Sequence, residues 1–151
     1  MNIANTQVDI DHSAFEIYVS GCQGHCAGCY NSELWDFNQG IRWKEYLDKY
    51  NVFNKIEKAT ELIDKIVILG GEPFDQNLWE LLNFILYLKL KSDKEIWLFT
   101  SYENIGDHPV LKYLDYIKHG KYIKELETDN NIQFGYKLAT SNQYIKDLRK
   151  V

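Results

Sequence analysis

The chain has 151 residues, with 17 Lys and Arg against 22 Asp and Glu, for a formal net charge of −5. That length suits a single domain, residues 1–151, and 45% hydrophobic with 15% aromatic residues suffices to bury one core. No apolar run is long enough to cross a bilayer, and the first residues lack the basic-then-apolar order of a signal peptide. The basic residues are scattered, and their densest grouping, Lys89-Leu90-Lys91, is followed by Asp93 and Glu95. The expectation is a cytoplasmic protein that binds neither membrane nor nucleic acid directly.

In chain order, Phe15 to Ser20 is aromatic and β-branched and ends at Gly21, which predicts a strand. Residues Asn54 to Asp64, with Ile56, Ala59, Leu62 and Ile63, predict a helix that Asn54 would cap. Lys65 to Leu69 is a continuous apolar run ending at Gly70-Gly71 and predicts a buried parallel strand. From Gln76 to Lys91, the residues Leu78, Leu81, Leu82, Ile85 and Leu88 recur at three- and four-residue steps, the stripe of an amphipathic helix. Glu95 to Thr100 predicts a third strand, Pro109 to Ile117 a short helix, and Tyr116 to Lys118 and Phe134 to Ala139 two weaker strands. Strands alternating with helices imply an α/β fold with a mainly parallel sheet.

All three cysteines lie in Cys22-x3-Cys26-x2-Cys29, directly after the first predicted strand. An odd number of thiols in a chain without secretory features is a poor disulfide framework. A structural zinc site wants four ligands. His25 is adjacent to Cys26 and chelates the same ion only with strain, so zinc would call on His12, His108 or His119. Thiolates also hold iron–sulfur clusters, usually four to a cubane. Three leave one iron open to a small molecule. Gly70-Gly71-Glu72-Pro73 follows the second predicted strand, and Thr100-Ser101 the third. Ligands of parallel α/β folds sit at these C-terminal strand ends. Two glycines allow close backbone approach, whereas Thr100 and Ser101 either bind a ligand or merely cap the next segment.

The C-x3-C-x2-C loop after the first predicted strand resembles the signature of radical S-adenosylmethionine enzymes. The resemblance implies an open, partial (β/α) barrel, with a [4Fe-4S] cluster on Cys22, Cys26 and Cys29. The open iron would hold the amino and carboxylate groups of S-adenosylmethionine. Reductive cleavage would then give a deoxyadenosyl radical. In that family a GGEP motif contacts the amino group, which implies Gly70, Gly71 and Glu72 here, an ammonium being suited to carbonyls and a carboxylate. Thr100 and Ser101 would take the ribose or methionyl carboxylate, and Tyr30 would pack beside adenine or the cluster.

Within the superfamily, GCQGHCAGCYNSELWDFNQG resembles the activating proteins of anaerobic ribonucleoside-triphosphate reductase, which read Cys-x3-Cys-x-Gly-Cys-Tyr-Asn followed by a Trp. The matching residues are Cys22, Cys26, Gly28, Cys29, Tyr30, Asn31, Trp35 and, for a glycine that ends the segment, Gly40. DYIKHGKYIKEL and ATSNQYIKDL resemble two segments of that family's tail, so the likeness runs from about Phe15 to Leu148. The chain departs from the family in three places. DIDHSAFEIYVSG lacks the glycines and Arg of the usual Asp-Gly-x-Gly-x-Arg element, Ala139-Thr140 replaces Gly-Ser, and Tyr144 replaces Arg. The implied activity is formation of a glycyl radical on the reductase's large subunit, with a one-electron donor such as flavodoxin. The alternatives are an activase of a formate-lyase type enzyme and a non-catalytic zinc-binding interaction module. His25 is expected beside the cluster or facing solvent, Trp35 and Trp43 in the core or an interface, and Asn142-Gln143 at the site's mouth or against the partner.

Overall fold

The computed structural model describes residues 1–24 and 32–149. Strands β1 (Asn2–Asp9), β2 (Ala14–Val19), β3 (Ile41–Arg42), β4 (Lys65–Gly70), β5 (Glu95–Phe99), β6 (Tyr116–His119) and β9 (Tyr144–Asp147) form one seven-stranded sheet. Its order is β3-β1-β2-β4-β5-β6-β9. The central β2, β4, β5 and β6 run parallel. Antiparallel strands flank them, β1 and β3 on one side and β9 on the other. Helices α1 (Trp43–Lys49), α2 (Val52–Lys58) and α3 (Leu78–Lys91) all pack on one face of the sheet. There Phe15, Ile17, Ile66, Ile68, Ile96, Leu98 and Ile117 meet Trp43, Leu47, Ile56, Phe84 and Ile85. Ala14, Val67, Trp97, Tyr116 and Ile145 face the other way, under Tyr136 and Leu138 of the C-terminal segment.

The three strong strand predictions and the long helix are present, the helix starting at Leu78 because the Asn77 side chain accepts from Glu80 N at 3.1 Å. Other expectations need correction. The predicted helix from Asn54 to Asp64 is instead Val52–Lys58, and Asn51 rather than Asn54 precedes it, in the left-handed region at φ 51°. Pro109 starts only a 3-10 turn, Pro109–Tyr113. Asp115 ends it: its backbone N–H donates to Ile96 O, and its carboxylate accepts from Ile96 N at 2.8 Å, which draws the next residues into the sheet as β6. The strand expected from Phe134 to Ala139 is cut to β8 (Tyr136–Lys137), paired with β7 (Ile132–Gln133) across Phe134-Gly135. Both turn residues have positive φ, 48° and 82°, the requirement of a tight hairpin. The sequence reading missed β1, α1 and β9. β1 is polar and buries only Ile3 completely, so its place comes from its ladder with β2 and not from an apolar pattern.

Among the described residues no helix is long and apolar enough to cross a membrane.

Candidate functional site

The C-terminal ends of β2, β4 and β5 bring together Cys22, Gly70, Gly71, Glu72, Thr100 and Ser101. Cys26, Cys29 and Tyr30, with His25 and Asn31, lie outside the described residues.

Cys22 leaves β2 through Gly21, whose φ of 109° suits glycine. Gly21 N donates to Leu34 O at 2.7 Å and Cys22 N to Trp35 O at 3.2 Å. These two bonds close the neck of the cysteine loop and fix the half-buried Cys22. Gln23 N donates to the Asp75 carboxylate at 2.7 Å, which ties the loop to the turn after β4.

That turn is joined to the β2 loop along its backbone. Gly71 N donates to Val19 O at 2.9 Å and Glu72 N to Gly21 O at 2.7 Å. A Cβ on Gly71 would lie 2.4 Å from Gly21 O. Gly71 is therefore required by the approach of two backbones, whatever else binds there.

Glu72 is only 2% exposed. Its carboxylate accepts from Thr100 Oγ1 at 2.6 Å, from Ser101 N and Oγ, each at 2.7 Å, and from Phe74 N at 2.9 Å. A carboxylate offers about four lone-pair positions, and here four donors meet it. Burial pushes the carboxyl above the usual glutamate range, and the hydrogen bonds from Thr100, Ser101 and Phe74 oppose that shift. Thr100 and Ser101 thus converge on Glu72 and lock the β4 and β5 loops together.

Sequence reading passed over three further residues. The Gln76 side chain donates to Ser20 O, Gly21 O and Glu72 O at 3.0 to 3.1 Å, binding both loops from beneath. Asp75 receives Gln23 N and also the Tyr102 hydroxyl. That bond, with burial and the nearby charges of Asp75, Glu72 and Cys22, raises the Tyr102 phenol to about 12. The signal for Asp75 and Gln76 was their position, polar residues following Pro73-Phe74 in a turn that has to close.

The remaining candidates have other roles. Trp43 lies in the core against Phe84 and Tyr87, and Trp35 lends its carbonyl to Cys22. Asn142 and Gln143 staple the tail to the strand ends. Asn142 Nδ2 donates to Glu103 and to Lys121 O, and Gln143 Nε2 to Gly120 O at 3.3 Å. His12 precedes β2 while Cys22 follows it, a separation of roughly 20 Å at the usual rise per strand residue, and its ring pairs with Asp9 and stacks on Tyr136. His108 stacks on Phe74, and His119 Nδ1 lies 3.1 Å from Glu103 O.

The family described as 4Fe-4S single cluster domain matches residues 13–146. Among curated proteins the chain is similar to the anaerobic ribonucleoside-triphosphate reductase-activating protein of Enterobacteria phage T4, at 34% identity over 74% of this chain and 72% of that one. The protein of the same name from Haemophilus influenzae is 30% identical over 72% and 74% of the two chains, and that from Escherichia coli K12 27% identical over 88% and 87%. With Cys22 anchored at the end of β2 inside the matched span, the chain belongs to the 4Fe-4S single cluster domain family, as a homologue of the anaerobic ribonucleoside-triphosphate reductase-activating proteins.

Proposed function

We propose that this protein is a radical S-adenosylmethionine activase that forms the glycyl radical of an anaerobic ribonucleoside-triphosphate reductase. The observation that carries the reading is the junction of the Cys22 loop with the Gly70-Gly71-Glu72 turn, by Glu72 N to Gly21 O and by Gln23 N to Asp75. The Cys22 side chain and the Gly-Gly-Glu turn thereby lie beside one another at the strand ends, where α/β folds bind ligands, which supports reading Cys22 as a cluster ligand.

The residues fit the cofactors. Cys22, Cys26 and Cys29 would hold a [4Fe-4S] cluster, and backbone carbonyls of the Gly70, Gly71 and Glu72 turn would receive the methionyl ammonium, since the Glu72 carboxylate already meets four donors of its own. Thr100, Ser101 and Tyr30 complete the proposed S-adenosylmethionine site. When bound, the cluster would supply the one electron needed to cleave a carbon–sulfur bond of S-adenosylmethionine, the chemistry that would remove a hydrogen from a reductase glycine. The chain's own task is positioning. The buried Glu72 fixes the spacing of the β4 and β5 loops and brings negative charge under the ammonium, while Gln76 fixes that of β2 and β4. We read the sheet as an open partial barrel whose uncovered flank admits the reductase loop. A flavodoxin-type donor in the cytoplasm completes the scheme.

The test is to mix the reduced, iron- and sulfide-reconstituted protein with S-adenosylmethionine and the reductase large subunit under anaerobic conditions. Methionine and 5′-deoxyadenosine should form together with an organic radical on the reductase. A fully loaded protein that yields neither product contradicts the reading.

A further inference from the structure

On the face of the sheet turned away from the helices, Phe99, Lys118 and Ile145 are register partners, and Tyr18 pairs with Leu69. This row lies directly beneath the loops that carry Gly71 and Ser101. Its middle is apolar, with Leu69 and Phe99 packed against the smaller core. Lys118 stands between Phe99 and Ile145, with its ammonium 5.0 Å from the centre of the Phe99 ring. Apart from that ring, its side chain has no hydrogen-bond or ion-pair partner among the described residues. The acids one row below are engaged elsewhere. Glu16 accepts from Gln7 and Tyr18, and Asp147 pairs with Arg149. Burial accordingly holds Lys118 below the usual lysine range.

A partly buried cation without an anion costs stability, and such residues cluster where a ligand supplies the missing charge. We propose that Lys118 is a binding residue of the site, and that its ammonium receives a carboxylate of the small molecule seated over Leu69 and Phe99. Under the activase reading, on which this assignment rests, that group is the methionyl carboxylate of S-adenosylmethionine. One carboxylate oxygen suffices for Lys118 and leaves the second free for another partner.

The proposal separates binding from stability. Lys118→Met removes a charge that has no anionic partner among the described residues, so the melting temperature should stay level or rise. Calorimetric titration of the reconstituted protein with S-adenosylmethionine should show roughly 10- to 100-fold weaker binding, the scale of one charge-assisted hydrogen bond. Decarboxylated S-adenosylmethionine should bind wild type and variant alike, and Lys118→Arg should restore most of the affinity for the intact molecule. An unchanged affinity in Lys118→Met, or equal losses for both compounds, overturns the role of Lys118 and leaves the activase reading standing. Wild type that binds neither compound overturns both.

Discussion

At Glu72, a glutamate in a motif expected to meet a ligand is also the acceptor on which two loops converge. Replacing it with Ala leaves Thr100 Oγ1, Ser101 N and Oγ, and Phe74 N facing a cavity. Unfolding should become easier by about 3 kcal/mol, the scale for losing a buried charged acceptor, and affinity for S-adenosylmethionine should fall with it. Urea denaturation and ligand titration of Glu72→Ala check this, and a stable variant with unchanged binding refutes both roles. The pH dependence has a definite sign. Burial raises the folded-state carboxyl above its unfolded value, so folding favours the protonated form. Stability from this group is fully present below the ordinary glutamate range and is lost as pH rises through the folded value. The stability difference between wild type and Glu72→Ala should therefore shrink as pH rises through that interval. A difference that grows there means that the hydrogen bonds outweigh burial.

At the scale of elements, the site is made by three loops whose spacing is fixed by backbone contact. Gly71→Ala is the sharpest probe, because its Cβ would meet Gly21 O at 2.4 Å and that oxygen cannot move without parting the β2 and β4 loops. The variant should lose about 1–3 kcal/mol and bind less iron per chain after reconstitution, measured by urea melts and iron assay. Wild-type iron content would show that the junction of these loops does not position Cys22. The same scale shows what could be read in advance. β2, β4, β5 and α3 announce themselves because each buries an apolar run or stripe, so burial is written in residue type. β1 and β9 are flanking strands defined by pairing with a neighbour, and pairing leaves little trace in composition. The hairpin at Phe134-Gly135 hid inside an apolar stretch, since its turn is set by backbone φ. In the site, the cysteines, glycines and Glu72 stood out by spacing, whereas Gln76 and Tyr102 act through contacts across loops that no local pattern encodes.

At the scale of the whole molecule, the helices cover one face of the sheet, and the tail covers part of the other. Asn142 and Gln143 hold that tail to the loops after β5 and β6, so the segment that resembles the reductase activases closes the fold. Lys118 sits under this arrangement, near the loops that join Cys22 to Glu72. The central claim is that these parts serve a cluster with one iron open to S-adenosylmethionine. The direct measurement is electron paramagnetic resonance of the anaerobically reconstituted, reduced protein, recorded before and after S-adenosylmethionine is added. The account predicts a reduced [4Fe-4S] signal whose shape changes on addition. A colourless protein that retains zinc, or a cluster signal indifferent to S-adenosylmethionine, would contradict it.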